Sequence, residues 1–206
     1  SVLSYVFDDF NSGQAYKTHA FTNTQYDEVG WFYCSGSSDE IDRYVSYNYA
    51  ENAWAYGQLR RYAWLDSGVE AYPRATDNGF LYEHETGFDD DGTPMTNVFV
   101  ESSDFDIGDG EQFAFINRMI PDIRFLSNAS GGKVNIVLKT RNFPGDSLTT
   151  NSTTPINSTT QQSHVRARAR QAVVRVESDD DDTDANTSTG WRLVATRLDV
   201  RADGRR

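Results

Sequence analysis

The 206 residues carry 31 Asp and Glu against 19 Lys and Arg, a net charge of −12, and one cysteine. That balance argues against a protein that reads nucleic acid and excludes an intrachain disulfide framework or a cysteine-rich zinc site, while 37% hydrophobic residues suffice for a sizeable core in one or two domains. No apolar run approaches the roughly 18–20 residues of a membrane span, and the N-terminus lacks a charged-then-apolar signal pattern, so no membrane span is expected.

In chain order, Ser4-Tyr5-Val6-Phe7-Asp8 reads like Arg43-Tyr44-Val45-Ser46-Tyr47, 39 residues further on. Repeats of roughly 40–50 residues holding several short strands each mark propeller blades. The chain would then open in the last strands of one blade and cover little more than two others. A propeller needs about 4–8 blades. With Ser1 first and no initiator Met, either the chain is the C-terminal part of a longer polypeptide or its sheets close in another way.

Aromatic residues alternating with polar ones predict strands at Trp31–Cys34, Arg43–Tyr49 and Ala53–Gly57, with Glu51-Asn52 at hairpin spacing between the last two. Period two sends Tyr44 and Ser46 to one face and Val45, Tyr47 and Tyr49 to the other. Trp31, Tyr47 and Trp54 are placed on the inward face, and Cys34 is read as a small buried hydrophobe. A second unit runs from Tyr72-Pro73 through the turn Asp77-Asn78-Gly79 to Phe80–Glu85 and resumes at Asn97–Val100. Gly57 and Gly79 are expected at turns or bulges that need positive φ or close backbone approach.

From Gln112 the strands lengthen and lose their aromatics: Phe113–Arg118, Asp122–Leu126, Val134–Thr140, His164–Glu177 and Trp191–Val200. Gly131-Gly132 is read as a hairpin turn, the Ser/Thr/Asn-rich 146–162 as a mobile loop, and Asp179–Asp184 as a solvated hairpin tip between the last two strands. No helix has a persistent signal. The fold class expected is therefore all-β: propeller-blade-like antiparallel meanders over residues 1–111, then a β-sandwich-like domain over 112–206. Charge supports that division, because residues 1–112 hold 21 acids and five bases, a net −16, while 113–206 hold 10 acids and 14 bases, a net +4.

Few residues invite a chemical reading. Glu83 and Glu85 fall two apart on a strand and would share a face, yet glycoside hydrolysis needs carboxylates flanking a sugar from opposite sides. The acidic clusters Asp89-Asp90-Asp91-Gly92 and 104–111 lack calcium-loop spacing and read as turns. His19, His84 and His164 are scattered without partners for a triad. Asn128, Asn151, Asn157 and Asn186 match the glycosylation sequon only as Ser/Thr-rich loops do by chance. Arg166, Arg168 and Arg170 alternate with Ala167 and Ala169, which makes a basic strand face suited to ion pairs within an assembly, or less readily to nucleic acid. Arg205-Arg206 reads as a solvated tail. No catalytic residue, cofactor or metal site is assigned, and the chain is not expected to be an enzyme.

Several stretches carry a resemblance: Val29-Gly30-Trp31-Phe32-Tyr33, Asp42-Arg43-Tyr44-Val45, Tyr47-Asn48-Tyr49, Trp54-Ala55-Tyr56-Gly57, Gly79–Gly87, Leu138–Gly145 and the closing Arg197–Arg206. Together they resemble the C-terminal half of bacteriophage tail nozzle, or tail hub, proteins. The resemblance implies a structural protein of the virion, assembled in the host cytoplasm. Copies of it would form a ring around the DNA-ejection channel and link the adaptor to the distal tail. The implied partners are further copies of the chain, the adaptor and other tail proteins, with viral DNA passing transiently and without specific binding. An acidic wall suits such a conduit, since it repels phosphates. The alternative expectation is a carbohydrate-binding or glycan-degrading tail protein whose exposed aromatics stack on sugars.

Overall fold

The structure, a computed structural model, describes residues 2–95, 97–106, 110–126, 132–179 and 190–205, apart from the side chain of residue 94. The chain is all-β, with several antiparallel sheets. It divides into two compact units, Ser1–Gly87 and Phe88–Arg206.

The first unit opens with a short helix, α1 (Val2–Asp8), where a strand was expected. Positions 2, 5 and 6 are half-buried and positions 3 and 7 exposed, the spacing of one helical turn and not of a strand. The proposed repeat of Arg43–Tyr47 therefore fails. Four strands follow, β1 (His19–Asn23), β2 (Glu28–Tyr33), β3 (Arg43–Asn48) and β4 (Ala53–Gly57), in the meander order β1-β2-β3-β4. A three-stranded meander, β5 (Ala63–Leu65), β6 (Arg74–Asp77) and β7 (Phe80–Glu83), completes the unit. The β6–β7 hairpin turns on Asn78 (φ 47°) and Gly79 (φ 84°), so the positive φ expected of Gly79 is present.

The division of β3 into two faces follows the expected alternation, but the opposite face is the core. Phe21, Phe32, Cys34 and Ile41 form the buried cluster, with Tyr44, Leu59 and Trp64 packed on it. Trp31, Tyr47 and Trp54 lie across the sheet from it, and Trp54 is 50% exposed. Period two separates faces without saying which one later elements will cover. Here Trp64 of β5 covers the Phe21–Phe32 side, donating from its indole to the Thr22 carbonyl at 2.6 Å.

Two glycines fit that face. Gly30 pairs with Phe21 and Gly57 with Tyr44 across the ladder, and a Cβ on Gly30 would stand 2.3 Å from the Phe21 ring. A Cβ on Gly57 would stand 2.7 Å from the Tyr44 ring, so this position serves close approach of a side chain and not a turn. We expect Gly30→Ala to cost about 1–3 kcal/mol through overpacking, measured by chemical denaturation. Phe21→Leu in the same chain should recover part of the loss; equal losses with and without Phe21 would contradict the packing described.

The second unit contains β8 (Asp89–Asp90), β9 (Thr93–Pro94), β10 (Phe99–Glu101), β11 (Phe105–Asp106), β12 (Ala114–Phe125), β13 (Lys133–Arg141), β14 (Thr149–Asn157), β15 (Ser163–Ala169), β16 (Gln171–Ser178) and β17 (Trp191–Ala202). One sheet has the order β10-β16-β13-β14, with β11 also on β16; another has β15-β12-β17. Both contribute to a single core: Ile116 and Met119 from β12, Val165 and Ala167 from β15, Val134, Ile136 and Leu138 from β13, Ile156 from β14, Ala172 and Val176 from β16.

Several expectations change here. The boundary falls after Gly87 and not after residue 111, because β10 and β11 are edge strands on β16. Residues 88–111 carry eight acids and no Lys or Arg, and they neutralise basic strands of their own unit: Lys139 and Arg175 reach Glu101 at 2.5 and 3.5 Å, and Arg141 pairs with Asp104. The charge step at 112 thus marks an internal pairing and not a domain border. The 146–162 segment holds β14, paired to β13 along nearly its whole length. Its threonines are good strand formers, only Ile156 is buried, and Pro155 is tolerated because the strand is an edge.

The run His164–Glu177 is two strands in different sheets, breaking at Arg170. Phe113–Arg118 and Asp122–Leu126, conversely, are one strand, with Pro121 lying beyond the reach of β15, so β12 has a neighbour on one side only there. Strands β12 and β13 lie in different sheets, as do β16 and β17, so neither pair is the expected hairpin. Gly131, Asn128, Asn186 and Asp180–Asp184 lie outside the described residues.

Candidate functional site

Three surfaces bring together residues with chemical potential. The first is the face of the β1–β4 sheet opposite the Phe21–Phe32 cluster, covered at one end only. Register places Trp31, Val45 and Tyr56 in one row and Val29, Tyr47 and Trp54 in the next. Tyr47 and Trp54 stack with ring centroids 4.8 Å apart, and the Tyr47 hydroxyl donates to Asn52 Oδ1 at 2.7 Å. Tyr5 of α1 covers Tyr56 at 3.8 Å and Phe10 meets Tyr33 at 6.1 Å, which leaves Trp31 and Trp54 at 36% and 50% exposure. Polar contacts fasten the covered end: Arg43 pairs with Asp9 at 3.6 Å and Asp42 at 2.7 Å, and Ser35 donates to Asp42 at 2.7 Å. Burial pushes the Tyr33 phenol up to about 12 and raises the Cys34 thiol, so neither is an ionised nucleophile at neutral pH. Cys34 is buried as expected.

Strand β4 closes this face as an edge. Its sequence, Ala-Trp-Ala-Tyr-Gly, contains no charge and no proline, and four of its five residues are exposed. Natural edges are normally blunted by lysine, proline or a bulge, so an uncharged aromatic edge is a template for another strand.

The second surface is the arginine strand. Val165, Ala167 and Ala169 are buried and the arginines point out, as the alternation predicts. Arg168 lies over Phe113 at 4.0 Å and pairs with Asp203. Arg170 donates to the carbonyls of Gly110 (3.0 Å), Glu111 (3.2 Å) and Arg205 (3.3 Å). These two guanidinium groups are committed to contacts inside the chain, clamping residues 110–113 and the C-terminal segment. Arg205 itself approaches Glu111 at 3.7 Å; Arg206 lies outside the described residues.

The third is a carboxylate pair that sequence spacing does not reveal. Glu83 and Glu85 do not share a face: β7 ends at Glu83, which binds Arg74 at 2.9 Å, and Glu85 turns away with φ 62°. Its carboxylate accepts from Asn23 Nδ2 at 3.0 Å, and Asn23 faces Glu28 across the β1–β2 ladder. Loss of water, and for Glu28 the neighbouring Glu85 charge, raises both carboxyls above their ordinary range; Asn23 partly offsets this at Glu85. His84, between the two glutamates, accepts from Arg61 Nε at 2.9 Å and stacks on Trp64 at 4.8 Å. Asp89-Asp90-Asp91-Gly92 forms the turn expected of it, with Gly92 N donating to Asp89 at 2.8 Å.

Among the described residues no group of three or more His, Cys, Asp or Glu side chains is arranged to hold a metal. No protein-family model and no curated protein matches the chain.

Proposed function

We propose that the chain is a structural component of a phage tail, a nozzle-type subunit that joins copies of itself into a ring around the DNA-ejection channel. The observation that carries this reading is strand β4, an uncharged edge with Trp54 and Tyr56 at 50% and 41% exposure. Pairing of such an edge with a different strand of the next copy is a heterologous contact, and heterologous contacts form a ring when the rotation between copies closes. Further apolar side chains support the reading, since Phe80 and Leu81 are 65% and 63% exposed on β7, the edge of the second meander. Exposed apolar area of this kind marks surface that a partner covers. The resemblance of stretches between Val29 and Gly87, of Leu138–Gly145 and of Arg197–Arg206 to nozzle proteins is what suggests this assembly, with the adaptor and distal tail proteins as neighbours. The commitment of Arg168 and Arg170 to internal partners agrees with DNA passing without being held.

Trp54→Lys places a charge on that edge at an exposed position. Purified variant should keep the wild-type melting temperature within a few degrees, yet fail to incorporate into particles in a complementation assay. Normal incorporation would remove β4 from the interface.

The Tyr47–Trp54 stack also favours a second reading, glycan binding or degradation by a tail protein, because exposed paired rings suit the apolar faces of sugars. Retardation in a gel containing host polysaccharide, or release of reducing ends, would select it.

A further inference from the structure

We propose that Glu28, Glu85 and Asn23 form a calcium-binding site at the end of the β1–β2–β3 sheet. The sheet's core face consists of successive cross-strand rows, and the last of them is polar: Asn23, Glu28 and Asn48. Asn48 is fully used, donating to the Tyr26 carbonyl at 2.8 Å and accepting from the amides of Ala50 and Glu51 at 3.1 and 2.8 Å. The other two are not. Asn23 is 3% exposed, and its Oδ1 is a buried acceptor without a hydrogen-bond partner. Such an orphan keeps its full desolvation cost unless something binds it. Its other end, Nδ2, holds Glu85, while its position in the ladder sets it against Glu28.

Asn23, bonded to Glu85 through Nδ2 and paired with Glu28 across the ladder, thus stands between two carboxylates with its own amide oxygen unpartnered. Among the described residues no Lys, Arg or His forms a salt bridge with either glutamate, although Lys or Arg neutralises Glu40, Asp42, Asp77 and Glu83 of the same unit. Two uncompensated negative charges and an unpartnered amide oxygen ask for a cation with oxygen preference. Calcium accepts irregular coordination completed by water, whereas magnesium demands near-ideal octahedral geometry that three side chains on a twisted sheet edge do not supply. Glu85 is exposed as a residue, which gives ions a way in from its side.

The test is a titration of the isolated chain with calcium chloride, read by calorimetry and thermal unfolding, against the same protein in EGTA. One site per chain is expected, with Kd of about 10⁻⁴–10⁻³ M, and a melting temperature raised by roughly 10 °C at one hundred times Kd. Terbium should report the site by luminescence excited through tyrosine, since the Tyr26 carbonyl accepts from Asn48, the cross-strand neighbour of Glu28. E28Q and E85Q should each weaken binding at least tenfold while melting no lower than wild type in EGTA, because each removes an uncompensated charge. E83Q, which touches Arg74 instead, should bind as wild type. Absence of any shift at about 10 mM calcium overturns the proposal, as does a full shift retained by the E28Q/E85Q double variant. If that double variant does not fold, N23A and E28Q singly decide the same question. The measurement uses isolated protein, so its outcome is independent of ring assembly.

Discussion

Phe32→Ala should lower the stability of the first unit by about 3–5 kcal/mol, enough to leave much of it unfolded at 37 °C. Phe32 is completely buried, and its ring lies 4.5 Å from Phe21, 6.0 Å from Trp64 and 6.5 Å from Tyr44. Removing it opens a cavity at the point where β1, β2, β3 and β5 meet, and none of these rings can fill it without leaving its own packing. Trp54→Ala is the counterpart. That side chain is larger, but it is half exposed and packs mainly on Tyr47, so its removal should cost about 1 kcal/mol or less. Urea unfolding of both variants measures the difference. A larger loss for Trp54→Ala than for Phe32→Ala would put the core on the other face of the sheet.

In the second unit the largest effect is expected from Leu138→Ala, about 2–5 kcal/mol by the same measurement. Leu138 is fully buried at the middle of β13, opposite Ser152 of β14 and Val174 of β16, and it belongs to the cluster that both sheets share. Thr153, on the neighbouring strand β14, which carries only one buried side chain, provides the contrast: Thr153→Ala should change stability by less than about 0.5 kcal/mol. Comparable losses at the two positions would mean that β14 is packed on both faces.

Local chemistry made some of this readable from sequence. Ala53–Gly57 has the predicted bounds because alternation and the flanking Asn residues act within a few positions, and Asn78-Gly79 turns where the two residues best able to take positive φ stand together. The choice of inner face was not local. Trp31 and Phe32 are both strongly apolar, and only Trp64, more than thirty residues away, decides between them. A usable signal existed in Gly30 and Gly57, glycines on the face that must accommodate the flat rings of Phe21 and Tyr44.

The second unit misled for a related reason. Alternation slips only once, at the polar pair Arg170-Gln171, and a single slip reads as a bulge as readily as the change of sheet that occurs at Arg170, where three backbone carbonyls grip the guanidinium. Threonine-rich β14 looks like a loop by polarity and behaves as a strand by branching at Cβ. The acidic stretch after Gly87 suggested a domain by its charge, yet that charge is what pairs it with Lys139, Arg141 and Arg175. The Glu28–Glu85 pair was invisible because its members belong to different meanders and are brought together only by Asn23.

The proposed role as a ring-forming tail subunit is decided by cryo-electron microscopy of purified particles with the copies of this chain counted in the tail. The expected result is density for the chain in a closed ring below the adaptor, with a copy number equal to the tail's rotational symmetry or a multiple of it, and with strand β4 of each copy against its neighbour. Particles that lack the chain, or carry it as separate copies outside the symmetric tail, would contradict it.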